Sequence, residues 1–190
     1  RVAVLRMALA SRLRRLDAHR TDLACCAALS LVALVATLVA TRNGPGIDPD
    51  SVVYITTGRS IFLGHGAANL VAWPPGYPLL IAGTMSLGPD AVTASRLVPA
   101  LCLALSVWPV FELARILGGR IAGHLSSLAL LLLWPVALVS VYAWSEMPYL
   151  LFSLFAVLCL THLALHEHDG RRTWFLAAAA VCAGMAAFAR

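Results

Sequence analysis

Four acids, Asp48, Asp50, Asp90 and Glu146, and three basic residues, Arg59, His65 and Arg96, are the side chains of this 190-residue chain best suited to chemistry. An ionised carboxylate can take a proton from a weakly nucleophilic group, worth about 10²–10⁴-fold in rate. A guanidinium or imidazolium can meet charge developing on a phosphate oxygen. Each residue also has a simpler use. Asp50 is placed to N-cap a helix starting at Ser51, and Asp48 precedes Pro49 in a turn. Arg96 can snorkel to headgroups, and Glu146 suits the positive end of a helix.

Other groupings carry less. His162, His166, Glu167 and His168 resemble a metal cluster by spacing, but they close an apolar run beside Asp169, Gly170, Arg171 and Arg172 and read as a solvated helix end. Gly64-His65-Gly66 is no phosphate loop, because no strand precedes it and no Gly-Lys-Ser follows. The five cysteines all lie in apolar stretches without a CxxC or Cys/His set, so no metal site is expected.

The elements that must position these residues are membrane spans. The chain is 61% hydrophobic and 12% charged, more apolar surface than a soluble fold of this size can hide. Its cations are all arginine, in an Ala- and Leu-rich background typical of GC-rich bacterial genomes. Six arginines precede the first apolar run, a pattern of cytoplasmic retention rather than of nucleic-acid binding. Leu23 to Ala40, 18 residues without a charge, forms the first span, an uncleaved anchor rather than a signal peptide. Ala91 to Leu117, Ile121 to Tyr142 and Met147 to Leu165 follow, and another run begins at Thr173. The expected architecture is all-α: a cytoplasmic leader, 1–22, and a polytopic helical bundle, 23–190.

Parity decides which loops share a face. Tyr77 to Leu87 is too short to cross as an ordinary helix. If it does not cross, ten arginines fall on the cytoplasmic side, whereas crossing would move Arg115, Arg120, Arg171 and Arg172 outside. The positive-inside rule therefore predicts an interfacial or re-entrant segment, a cytoplasmic N-terminus, and loop 41–90 on the same non-cytoplasmic face as Trp144-Ser145-Glu146. Within that loop, apolar residues at 54, 55, 61 and 62 and polar ones at 56, 57, 59 and 60 predict a helix along the membrane surface.

Asp50-x-x-x-Tyr54, a short helix ending at Leu63-Gly64, and Trp73-Pro74-Pro75-Gly76-Tyr77-Pro78 together resemble the front part of GT-C fold glycosyltransferases, which use polyprenyl-phosphate sugars. This group includes protein O-mannosyltransferases and aminoarabinose transferases. Arg96-Leu97-Val98-Pro99 and Ser145-Glu146-x-Pro148 resemble two further motifs of the group. The resemblance spans roughly residues 20–190. It implies an inner-membrane, multi-pass enzyme that moves a sugar from a polyprenyl phosphate to a lipid, glycan or protein acceptor. Asp50 is then the catalytic base, with Asp48 its near neighbour, and Tyr54 and Glu146 line the substrate site. Many relatives carry a Lys before the double proline to contact the lipid phosphate. Trp73 stands there in this chain, which makes Arg96 the candidate phosphate partner, followed by Arg59 and His65. The lipid-linked sugar is a substrate and no cofactor is implied; membrane lipids are the other expected partners. A transporter or flippase would instead place charges around a midplane cavity, and a non-catalytic scaffold would need none of these motifs. A chain beginning without Met and ending inside an apolar run also reads as a portion of a longer enzyme.

Overall fold

The computed structural model describes residues 2–67, 74–165 and 172–189, with side chains from residue 18 onward. Trp73, His166, Glu167, His168 and Arg171 lie outside the described residues. The described chain forms seven helices and no strand: α1 (Val2–Ala40), α2 (Pro49–Phe62), α3 (Gly76–Met85), α4 (Ala91–Leu132), α5 (Trp134–Val141), α6 (Glu146–Leu165) and α7 (Arg172–Ala189). Four segments are long and apolar enough to cross a membrane: Ala18–Ala40, α4, α6 and α7. Their outer faces expose Leu31, Val35 and Val39 of α1 and Leu105 and Leu125 of α4, which water would not tolerate together but acyl chains would.

The second and third spans expected from the sequence are the two arms of α4, not separate helices with a loop. The backbone leaves helical geometry at Gly119 (φ 81°, ψ −176°), a positive φ that Gly adopts without steric cost. The arms then fold onto each other: Ser127 Oγ donates to the Val107 carbonyl at 3.3 Å, and the Phe111 ring sits 4.9 Å from that of His124. Gly123 makes this approach possible, since a Cβ there would lie 2.8 Å from the Phe111 ring. The third span is itself interrupted at Leu133, and α5 restarts with Pro135 near its N-terminus. Proline has no N–H to continue the ladder, so the break falls where the sequence demands it.

The two ends of α1 fix the topology. At its C-terminal end Arg96, near the start of α4, donates from Nε to Thr41 Oγ1 and from Nη2 to the Leu38 carbonyl, both at 3.2 Å. Near the start of its apolar stretch, Asp22 accepts from Arg120 Nη2 at 2.8 Å and sits 3.0 Å from His124 Nε2. The first arm of α4 thus runs antiparallel to α1, and everything between them returns to the side it left. Neither α2 nor α3 carries the chain across, as parity requires; α3, with 10 residues, is about 15 Å long.

The short helices do not simply float on a surface, however. Tyr77 and Ile81 of α3 are fully buried, and Tyr77 donates to the Ser95 carbonyl of α4 at 3.0 Å. The face of α2 that packs inward runs through Ser51, Tyr54, Thr57 and Gly58. This corrects the expected polar face, which included Thr57. Small residues at 51 and 58 let α3 come close: a Cβ on Gly58 would lie 2.7 Å from Ile81. Close packing outweighs the polarity of one threonine hydroxyl here.

Candidate active site

The N-terminus of α2 starts at Asp48, not Asp50. Asp48 is the N-cap: its Oδ1 accepts from the Ser51 amide at 2.8 Å and from the Ser51 hydroxyl at 2.7 Å. Pro49 follows inside the first turn, where its missing N–H costs nothing. The sequence pattern suited either acid, and Pro49 decides between them. Asp50 therefore lies in the first turn, half-buried, stabilised by the helix dipole rather than by a cap bond. Among the described residues none hydrogen-bonds its carboxylate.

The other oxygen of Asp48 is also engaged. Trp144, from the turn between α5 and α6, donates its indole N–H to Oδ2 at 2.8 Å. The same turn is joined to loop 41–48 by backbone: the Gly46 amide donates to the Val141 carbonyl at 2.8 Å, and the Ala143 amide donates to the Gly46 carbonyl at 3.2 Å. Gly46 has to be glycine, because a Cβ there would meet the Tyr142 ring at 2.7–2.8 Å. Tyr142 in turn stacks on Trp144 with centroids 4.5 Å apart. Burial works to raise the Asp48 carboxyl pKa, but the Ser51 hydroxyl and amide and the Trp144 indole outweigh it and hold the group below the ordinary carboxylate range.

Tyr54, one turn further along α2, is the centre of this end. It is 5% exposed, meets Tyr77 edge-on at 5.2 Å, and its hydroxyl lies 3.4 Å from Ser145 Oγ. Burial raises its pKa, the Ser145 contact lowers it, and the fields of Glu146, Asp50 and Asp48 raise it further. Three carboxylates thus act on one phenol, from two loops almost a hundred residues apart. Glu146 opens α6 and is exposed. Asp90 is the N-cap of α4, accepting from Val92 N at 2.9 Å and Thr93 N at 3.0 Å, which accounts for it as a structural residue.

The basic candidates separate. Arg96 stands at the same end of the bundle, where two of its five N–H donors are used at the end of α1, one on the Leu38 carbonyl and one on the Thr41 hydroxyl. Arg59 is exposed in the last turn of α2, and His65 is exposed just beyond that helix. Eleven residues of helix put Arg59 about 16 Å along the axis from Asp48. The structure does not gather these two with the acids. The sequence put the Trp144-Ser145-Glu146 turn on the face of loop 41–90, but the bonds of Trp144, Ser51 and Gly46 carry no recognisable signal there, since their partners lie in another loop or depend on where α2 begins.

Fold and site together define a multi-span helical membrane protein with its unpaired acids collected at one end of the bundle. The chain belongs to the dolichyl-phosphate-mannose-protein mannosyltransferase family, whose model matches residues 72–187, more than half of its length. Members of this family are membrane glycosyltransferases of the GT-C type that use polyprenyl-phosphate sugars. Neither a comparison with curated proteins nor one with solved structures found a match. The matched segment covers α3 to α7 and begins after Asp48, Asp50 and Tyr54, so the acid-bearing turn is joined to it by geometry.

Proposed function

We propose that this protein transfers a sugar from a polyprenyl phosphate to an acceptor hydroxyl on the non-cytoplasmic face of a bacterial inner membrane, with Asp50 as the general base. The observation that carries the reading is the contrast within one turn of helix: Asp48 has both oxygens occupied, whereas Asp50 has no described donor. A base needs an available lone pair, and Asp50 keeps one. In the transfer the acceptor oxygen forms a bond to the anomeric carbon while the bond from that carbon to the phosphate oxygen breaks. The acceptor proton passes to Asp50, and the lipid phosphate leaves with the bonding electrons. Arg96 retains N–H donors to meet that phosphate, and Glu146 and Tyr54 border the sugar site.

The location suits the substrate, because a polyprenyl phosphate holds its head at the interface and its tail in lipid. Charged residues of the described spans stand near the ends of the apolar stretches, including the Gly119 turn between the two arms of α4, where an interfacial enzyme wants them and a midplane transporter does not. Arg20, Arg115, Arg120 and Arg172 lie at the other end, which supports a cytoplasmic N-terminus. The test is Asp50→Asn in the full-length protein, assayed as consumption of polyprenyl-phosphate mannose by membranes. Transfer is expected to fall by about 10²–10⁴-fold with insertion unchanged. Retention of wild-type transfer rules out Asp50 as the base.

A further inference from the structure

We infer that Trp144 is a positioning residue for the transfer reaction, acting through Asp48 on Asp50; this rests on the reading of Asp50 as the base. Asp50 is oriented by no described donor of its own, so its placement is that of the first turn of α2. That turn is set by its cap, Asp48, whose Oδ1 holds Ser51 at 2.8 Å and 2.7 Å. The cap is anchored from outside its own loop by one side-chain bond, from the Trp144 indole to Oδ2 at 2.8 Å across 96 residues. The backbone bridge between Gly46 and Tyr142, and the Tyr142 ring stacked 4.5 Å from Trp144, hold the indole in register. Residue 144 lies two positions before Glu146 and residue 48 two before Asp50. Two backbone bonds, Gly46 to Val141 and Ala143 to Gly46, also join the two acid-bearing loops, but the Trp144 bond is the one that ends on the cap of the helix carrying Asp50.

The choice of an indole has a chemical reason. A Lys or Arg would hold Asp48 as well, but its charge would also favour the ionised form of Asp50 and weaken it as a base. A neutral N–H donor stabilises the Asp48 carboxylate directly and adds no full charge beside its neighbour. The result is one carboxylate committed to structure and, two residues on, one with no described donor.

Trp144→Phe tests this in the full-length protein, because phenylalanine keeps an aromatic ring against Tyr142 and removes the donor. With polyprenyl-phosphate mannose as the probe, kcat is expected to fall about 10- to 100-fold, the scale of a lost charged hydrogen bond and a displaced base, with KM for the donor about unchanged. Asp48→Asn is expected to slow transfer similarly, and the double variant should be no slower than Asp48→Asn alone, since both remove one interaction. A second readout does not depend on turnover: in ¹⁵N-Trp-labelled protein the indole resonance lost in Trp144→Phe should shift upfield in Asp48→Asn. A wild-type kcat in Trp144→Phe, multiplicative losses in the double variant, or an indole resonance that ignores Asp48→Asn each overturns the inference. Asp50→Asn in the same assay separates the failures. Wild-type transfer by that variant sinks the base assignment; an inactive Asp50→Asn beside an unimpaired Trp144→Phe sinks the positioning role alone.

Discussion

The two ends of the bundle treat their carboxylates in opposite ways. At the arginine-rich end, Asp22 is held by Arg120 and His124, and Glu112 by Arg115, around a cavity of about 470 Å³ that His19 and His162 also line. Every acid described there has a cationic partner. At the other end Asp48 is held by neutral donors only, Ser51 and Trp144, and no described cation pairs with Asp50 or Glu146. Arg96, at the same end, is turned onto the C-terminus of α1 instead. Paired charge is a way to clamp helices; unpaired charge beside the interface is a way to keep basicity. The acids described at one end are held by cations, whereas at the other Asp48 and Asp90 cap helices through neutral donors and Asp50 and Glu146 have no described cationic partner.

Exchanging charge for amide at each end breaks this comparison most sharply. Asp50→Asn should remove about 10²–10⁴-fold of transfer and lower the thermal midpoint in detergent only slightly, by the loss of its charge from the first turn of α2. Asp22→Asn should do the reverse. It removes the charge and one of the two acceptor oxygens that tie α1 to the turn region of α4 and leaves Arg120 without its counter-ion, so the midpoint falls. Transfer per folded molecule should stay near wild type. If Asp22→Asn abolished transfer in protein that remained folded, the division between the ends would be wrong.

How much of this was legible beforehand follows from the range of the interactions. The membrane class, the spans and the failure of Tyr77–Leu87 to cross depend on composition, length and charge, which are local and additive along the chain. The hairpin at Gly119 was legible only in part. The sequence separates two apolar runs there, but whether helix continues up to the glycine depends on the close contact of Gly123 with Phe111. The helix start at Asp48 was misjudged by two residues because Asp48 and Asp50 are chemically equivalent caps, and only the placement of Pro49 breaks the tie. The bonds of Arg96 to Thr41 and Leu38 were not legible, because they join it to the end of α1, 55 and 58 residues away. The Trp144 bond was invisible for the same reason: an indole in a turn looks the same whether it faces lipid or a carboxylate.

A smaller effect comes from the glycines that allow close approach at the two ends. Gly46→Ala pushes a methyl into the Tyr142 ring and should cost about 1–3 kcal/mol of stability, with transfer slowed because the acid loop parts from its neighbour. Gly123→Ala pushes one into Phe111 and should cost a similar amount while sparing transfer in the folded fraction. Gly83→Ala is the control: nothing lies within 4 Å of a Cβ there, so a helical alanine should stabilise by about 0.5–1 kcal/mol. Thermal midpoints with transfer measured on the surviving protein distinguish the three; equal losses of transfer at 46 and 123 would erase the difference between the ends.

The smallest effect is a pH dependence confined to Asp48. Its carboxyl is held below the ordinary range in the folded protein by Ser51 and Trp144, so the folded state binds this proton less readily than the unfolded chain. The stabilisation is complete above the unfolded value of about 3.9 and is lost as pH falls through the lower folded value. Asp48→Asn has no proton to gain, so its thermal midpoint should decline less steeply than that of wild type below about pH 4. The other carboxylates titrate in both proteins and cancel in the difference. Above about pH 5 the two curves should run parallel, offset by the lost charge-assisted bonds. Curves that stay parallel down to pH 2 would show that Ser51 and Trp144 do not favour the ionised form of Asp48, and the neutral clamp at the site end would lose its energetic basis.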